Sequence, residues 1–207
     1  MPLHLIPGLG ATPDLYAGYD FPFPTRLADY AAPPHPACTF AEYAEFMIQS
    51  HGIQPGDSII GVSLGGMMAC EISKRIPIRQ ITLISSCTHS RQLQPLLTRM
   101  SFLGPHLPWP LFRRIARPLP GLSPARRQAV QMFQKADSDF VRWACTHAAH
   151  WQGLTQPHPD LVSIHGDRDP VFPVGRQKIH HLIPGGDHLM VISRRDEILP
   201  LLLDRHL

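Results

Sequence analysis

The sequence predicts an α/β fold built on one mostly parallel sheet. Three observations carry that expectation. Short apolar runs alternate with stretches of helical period, the pattern of strands joined by crossover helices. Several of the runs end in turns rich in Gly, Asp and Pro. The 207 residues suffice for one substantial core, so a single domain over 1–207 is expected.

The elements follow in order. Residues 4–10 form a first strand and the loop after it. Residues 12–19 begin a turn or short helix, with Asp14 as a candidate cap. A short edge strand is expected over 25–31, weakened by the prolines around it. Phe40–His51 has the helical period, with Phe40, Tyr43, Ala44 and Met47 on one face. Asp57-Ser58-Ile59-Ile60 is a buried strand, and residues 66–75 form a helix. Residues 81–86 make the next central strand. After a long interruption at 87–159, residues 161–165 resume the sheet. Residues 178–184 read as its last strand, with His180 and His181 pointing to opposite layers. A helix near 195–204 closes the chain. There is no internal repeat and no low-complexity tract.

Between the strand at 57–60 and the helix at 66–75 lies Gly61-Val62-Ser63-Leu64-Gly65. A serine at a sharp strand-to-helix turn, with a glycine two residues to either side, is a nucleophile elbow. The turn lifts the serine Oγ clear of the sheet, and side chains in place of the glycines would meet crowding neighbours. The helix N-terminus behind it favours negative charge. The pentapeptide alone arises often by chance, so the flanking strand and helix carry the argument.

An acid and a histidine follow in suitable settings. The strand at 161–165 runs into Gly166-Asp167-Arg168-Asp169-Pro170, and the last strand into Gly185-Gly186-Asp187-His188. The chain order Ser63, Asp169, His188 differs from the two protease arrangements, and each of the three follows the C-terminal end of an expected strand, where ligands bind in open parallel sheets. Asp167 and Asp187 compete with Asp169 for the role of acid.

On these segments, together with His4-Leu5-Ile6-Pro7-Gly8-Leu9-Gly10, the chain resembles the α/β-hydrolase superfamily, in its small esterase-like branch with a helical cap. The resemblance covers nearly everything outside 87–159. It implies a three-layer α/β-hydrolase fold, shortened at the N-terminus because two antiparallel strands that often precede the first strand are missing. It selects Asp169, which follows His165-Gly166 at the family's spacing. It departs at Pro7-Gly8, where the family usually has His-Gly. It makes 87–159 an inserted helical cap, with core at 1–86 and 160–207.

The implied chemistry is acyl transfer. Ser63 attacks, His188 takes its proton and returns it to the leaving group, and Asp169 orients the imidazole. The backbone N–H groups of Leu9 and Leu64 are the candidate oxyanion donors, each worth about 3 kcal/mol in the transition state. No cofactor and no metal is expected, since no His pair has metal-ligand spacing with a third ligand. His4, His147 and His150 could lie near the site. Halide removal is disfavoured, because that chemistry in this fold places a carboxylate where Ser63 stands.

Composition narrows the setting. The four cysteines, Cys38, Cys70, Cys87 and Cys145, show no close pairing pattern and read as reduced thiols. No run is apolar enough to span a bilayer, and no secretory signal opens the chain as given. A cytoplasmic protein is expected. Nucleic acid is disfavoured by the modest net charge of +3 and the lack of a binding module.

Residues 87–159 carry nine basic residues against two acids, a formal +7, which leaves −4 for the rest of the chain. Pro105, Pro108, Pro110 and Pro118 break the stretch 96–119 into short helices. A helix over 139–151 places Phe140, Trp143, His147 and Trp151 near one face. These aromatics either pack the cap onto the sheet or, for Trp143 and Trp151, line a substrate pocket. The basic surface suits an acidic carrier domain, the phosphates of a coenzyme A thioester or an anionic membrane surface. The expectation is therefore a serine hydrolase cleaving a carboxylic ester. The alternatives are a thioesterase, which the basic cap favours, and a non-hydrolytic member that binds a ligand or works on C–C bonds in the same cradle.

Overall fold

A computed structural model describes residues 2–100, 103 and 106–206, apart from the Met100 side chain. Its strands are β1 (Leu3–Ile6), β2 (Thr25–Leu27), β3 (Ser58–Val62), β4 (Gln80–Ile84), β5 (Leu161–Gly166) and β6 (His181–Ile183). They form one sheet in the order β2-β1-β3-β4-β5-β6, and each neighbouring pair is parallel. The helices are α1 (Phe40–His51), α2 (Leu64–Ser73), α3 (Pro95–Met100), α4 (Trp109–Ile115), α5 (Pro124–Lys135), α6 (Ser138–His150), α7 (Met190–Ser193) and α8 (Arg195–His206).

Successive strand residues face opposite ways, and the central strands are apolar on both faces. Ile6, Ile59, Ile81 and Leu83 pack under α1, α2 and α6. Leu5, Ile60, Ile84 and Ile164 pack on the other side against Tyr16, α7 and α8. Three layers result, the arrangement that burying a sheet on both faces requires. No helix among the described residues is long and apolar enough to cross a membrane.

Helix α1 matches its predicted span and buries the four predicted residues. A capping box holds its start: Thr39 Oγ1 accepts from Glu42 N at 3.1 Å, and Glu42 accepts from Thr39 N at 2.8 Å. The edge strand is shorter than expected. After Ala28 N donates to Leu5 O at 3.0 Å, Asp29 turns the chain by accepting from Tyr30 N. The last strand is also shorter, and His180 and His181 are both exposed rather than turned into opposite layers. Asp14 is not a cap: Thr12 holds that position before the turn at Pro13–Tyr16, and Asp14 instead pairs with Lys135 of α5 at 2.6 Å.

Helices α3 to α6 fill the span between β4 and β5. Pro108 precedes α4, Pro110 lies in its first turn and Pro118 follows it, while Pro105 lies outside the described residues. Helix α6 belongs to the main core through Phe140, Trp143 and Ala144. Phe140 stacks on Tyr30 with ring centroids 4.1 Å apart, and Trp143 stacks on Phe40 at 5.9 Å.

Candidate active site

The turn from β3 into α2 places Ser63 at φ 52° and ψ −117°, a conformation that L residues rarely adopt. Holding it costs on the order of 1–3 kcal/mol, and the neighbours leave no relaxed alternative. A Cβ on Gly65 would collide with the carbonyls of Ile6 and Pro7, and one on Gly61 with the backbone of Gly65. Ser63 N donates to Ile84 O at 3.0 Å, and Ser86 Oγ donates to Ser63 O at 2.6 Å. The serine backbone is thus pinned on both sides, by the end of β4 and by the residues just after it.

His188 Nε2 lies 3.1 Å from Ser63 Oγ, and His188 Nδ1 lies 2.9 Å from Asp169 Oδ2. The loops bearing the acid and the histidine meet at Gly166, where a Cβ would strike the Gly186 carbonyl. Asp169 is buried, and its Oδ1 accepts from Val171 N at 2.8 Å and Phe172 N at 3.1 Å. Burial alone would raise its pKa. The hydrogen bond and charge of His188, with the two backbone donors, outweigh that and hold the carboxyl below its ordinary value.

The two competing acids have other partners. Asp167 Oδ1 accepts from Gly185 N at 2.6 Å and so fixes the turn before His188. Asp187 Oδ1 accepts from Leu189 N at 2.9 Å. Each shapes a loop, and only Asp169 bonds to the imidazole.

Among the described residues, no backbone acceptor outside the helices and strands takes the N–H of Leu9 or Leu64. Both residues border the space above Ser63. The Leu9 loop is braced from below by two tyrosines that the sequence reading did not single out. Tyr16 OH donates to Ile6 O at 2.8 Å, and Tyr30 OH donates to Pro7 O at 2.9 Å. No periodic signal marks them, since Tyr16 ends a single short 3-10 turn and Tyr30 lies in an irregular segment.

Two cavities meet at Ser63. The larger, about 380 Å³, is apolar and runs beneath α3, α4 and α6 between Met67, Leu97, Trp109, Ala148 and Phe172. The smaller, about 150 Å³, lies on the His188 side against Met132, Phe133 and Leu189. Trp143 and Trp151 line neither. Their indole N–H groups point into the core: Trp143 Nε1 donates to Cys38 O at 2.7 Å and Trp151 Nε1 to buried Glu71 Oε2 at 2.6 Å. Trp109 takes the place at the cavity that these two were candidates for.

Other candidates are elsewhere. His4 is buried against Asp57 at 2.9 Å, beside the strand ends opposite Ser63. His147 stacks on Trp143, with centroids 4.7 Å apart. Cys87 borders a separate cavity with His165, and burial pushes its thiol up to about 12. Cys145, by contrast, lines the larger cavity at Ser63. His35, Cys38 and Glu42 bring potential metal-ligand atoms within 4.8 Å of one another, a grouping the sequence reading missed. Glu42 there is already engaged in capping α1.

Comparison with known proteins decides the family. The family model described as "Alpha/beta hydrolase family" matches residues 5–201. The chain belongs to the alpha/beta hydrolase family. No curated protein matches it in sequence. Among solved structures, it is similar to a hydrolase from Pseudomonas aeruginosa PA01, with TM-score 0.73 and 15% identity over 99% of this chain and 89% of that one. It is also similar to a thermophilic esterase from Thermogutta terrifontis, with TM-score 0.71 and 13% identity over 99% and 88% of the two chains. An esterase from Exiguobacterium antarcticum gives TM-score 0.68 and 16% identity over 99% and 91%. At such identities these likenesses establish the alpha/beta hydrolase fold.

Proposed function

We propose that this protein is a serine hydrolase that cleaves a carboxylic ester through an acyl-enzyme on Ser63. The observation that carries the reading is the unbroken hydrogen-bond chain Asp169–His188–Ser63, ending at an apolar cavity bordered by Leu9 and Leu64. Ser63 Oγ attacks the ester carbonyl as His188 Nε2 takes its proton. Asp169 accepts from Nδ1–H, which keeps Nε2 free as the base and stabilises the imidazolium. The carbonyl oxygen gains charge between the two backbone N–H groups, and the helix α2 N-terminus adds to that field. The imidazolium then protonates the leaving alcohol. Water repeats the sequence on the acyl-enzyme.

The unequal cavities support an assignment of the two ester halves. His188 must reach the leaving oxygen, so the smaller space beside it suits a small alcohol. The larger, apolar space then holds the acyl group. Helices α3, α4 and α6 act as its cover in this reading.

A thioester is the second reading, favoured by the +7 charge of residues 87–159. A p-nitrophenyl acyl ester and an acyl-coenzyme A of the same chain, assayed side by side, separate the two. Ester turnover that vanishes in Ser63→Ala is expected. Undiminished turnover in Ser63→Ala sinks the nucleophile assignment, and a preference for the thioester moves the second reading ahead. If neither substrate turns over, a ligand-binding role takes their place.

A further inference from the structure

Of the ten large exposed apolar side chains among the described residues, seven lie in the segment 96–119; the others are Leu9, Leu27 and Leu182. Leu96 and Leu97 of α3, Leu111, Phe112 and Ile115 of α4, and Leu119 beyond it are each between 39% and 65% exposed. Helix α4 buries none of its residues. On a helix, Leu111 and Ile115 share a face and Phe112 adjoins it. So many exposed apolar side chains within one short segment mark an interaction surface rather than ordinary surface scatter.

Arginines border the same elements. Arg99, Arg114 and Arg117 are exposed, and Arg113 reaches Ala136 O at 2.7 Å. The two acids of residues 87–159 are engaged on α6, where Asp137 caps the helix and Asp139 pairs with Arg142 at 3.0 Å. Nothing within the segment neutralises the patch. The patch is also continuous with the larger cavity, because Leu97 and exposed Leu103 line that cavity.

We propose that α3, α4 and the chain to Leu119 dock on an anionic lipid surface. Aliphatic and aromatic tips enter the acyl boundary while arginine stems lie along it and their guanidinium groups meet lipid phosphates. Charge complementarity favours an anionic bilayer, and the row of large aliphatic tips favours a fluid apolar layer over an acidic protein face. The cavity then opens toward the layer in which an apolar ester dissolves. This last step rests on the proposed hydrolase reading, whereas the docking does not.

Co-sedimentation of the full chain with vesicles of phosphatidylcholine, alone or mixed with phosphatidylglycerol, tests the docking. Binding to the mixed vesicles is expected, and it weakens as salt rises. It falls about fivefold for each charge removed in Arg99→Gln, Arg114→Gln and Arg117→Gln. The pair Leu111→Ser and Ile115→Ser removes the apolar share of binding. Lys178→Gln, exposed and outside the segment, binds like wild type. Ser63→Ala also binds like wild type, so the docking and the acyl-transfer reading fail separately. The thermal midpoint of each variant, expected to match wild type, excludes misfolding as the cause of a loss. Equal binding by the triple arginine variant, or binding to neither vesicle, overturns the proposal. So does vesicle-independent dimerisation through Leu111 and Ile115, or binding to an acidic acyl carrier protein without vesicle binding.

Discussion

Asp169→Asn is expected to lower kcat for a p-nitrophenyl ester by about 10⁴-fold, about 5 kcal/mol in the barrier. The magnitude follows from what the carboxylate touches. Its Oδ1 accepts from Val171 N and Phe172 N, which an asparagine Oδ1 can also do. The amide nitrogen then faces His188 Nδ1, 2.9 Å away, and donates where the carboxylate accepted. The imidazole is driven to the tautomer with its proton on Nε2, which can no longer take the proton of Ser63. Binding of the apolar acyl group is untouched, so KM stays near its wild-type value. Asp167→Asn and Asp187→Asn keep an oxygen to accept from Gly185 N and Leu189 N, and should each change kcat by about twofold or less. Steady-state rates for the three variants decide the assignment. Near wild-type kcat in Asp169→Asn, or a comparable loss in Asp187→Asn, refutes the reasoning.

Three further predictions concern the surroundings. In the larger cavity each added methylene of the acyl chain gains about 0.8 kcal/mol, so kcat/KM rises about fourfold per carbon until the cavity is full. A flat or falling series of p-nitrophenyl esters contradicts this. Burial holds His165 at about 4, below its unfolded value of about 6.5. Between those values the unfolded chain binds the extra proton, so the stability is full above pH 6.5 and lost as pH falls toward 4, by about 3 kcal/mol. Urea unfolding should show a shallower pH dependence in His165→Gln, and an unchanged slope argues against a buried neutral imidazole. Trp151→Phe keeps an aromatic ring but takes one donor from the buried carboxylate of Glu71, at a cost of about 1.5–3 kcal/mol in urea unfolding, and no change there rules the bond unimportant.

What the sequence made legible follows from local physics. The elbow depends on glycines at 61 and 65 and on apolar residues before it, all within one short stretch. The helix at Phe40–His51 matched because its period and its end signals agree. The choice among Asp167, Asp169 and Asp187 needed a family pattern, since all three lie in similar turns and only the path of the chain decides which one faces His188. Tyr16 and Tyr30 escaped notice because a phenol bracing a carbonyl from a short turn or an irregular segment leaves no periodic trace. The tryptophans escaped for a different reason. Helical spacing puts Trp143 and Trp151 on a buried face, but it cannot say whether a cavity or Cys38 and Glu71 lie beyond that face. Trp109 lay in a proline-broken stretch with no period to orient it.

The proposed acyl transfer needs a nucleophilic Ser63 that forms a covalent intermediate, and a fluorophosphonate probes that nucleophile directly. Intact-mass spectrometry of the treated protein should show one adduct, mapped to the peptide containing Ser63. The adduct should be absent in Ser63→Ala and form far more slowly in His188→Ala. A wild-type protein that stays unlabelled, or an adduct that persists in Ser63→Ala, contradicts the central claim.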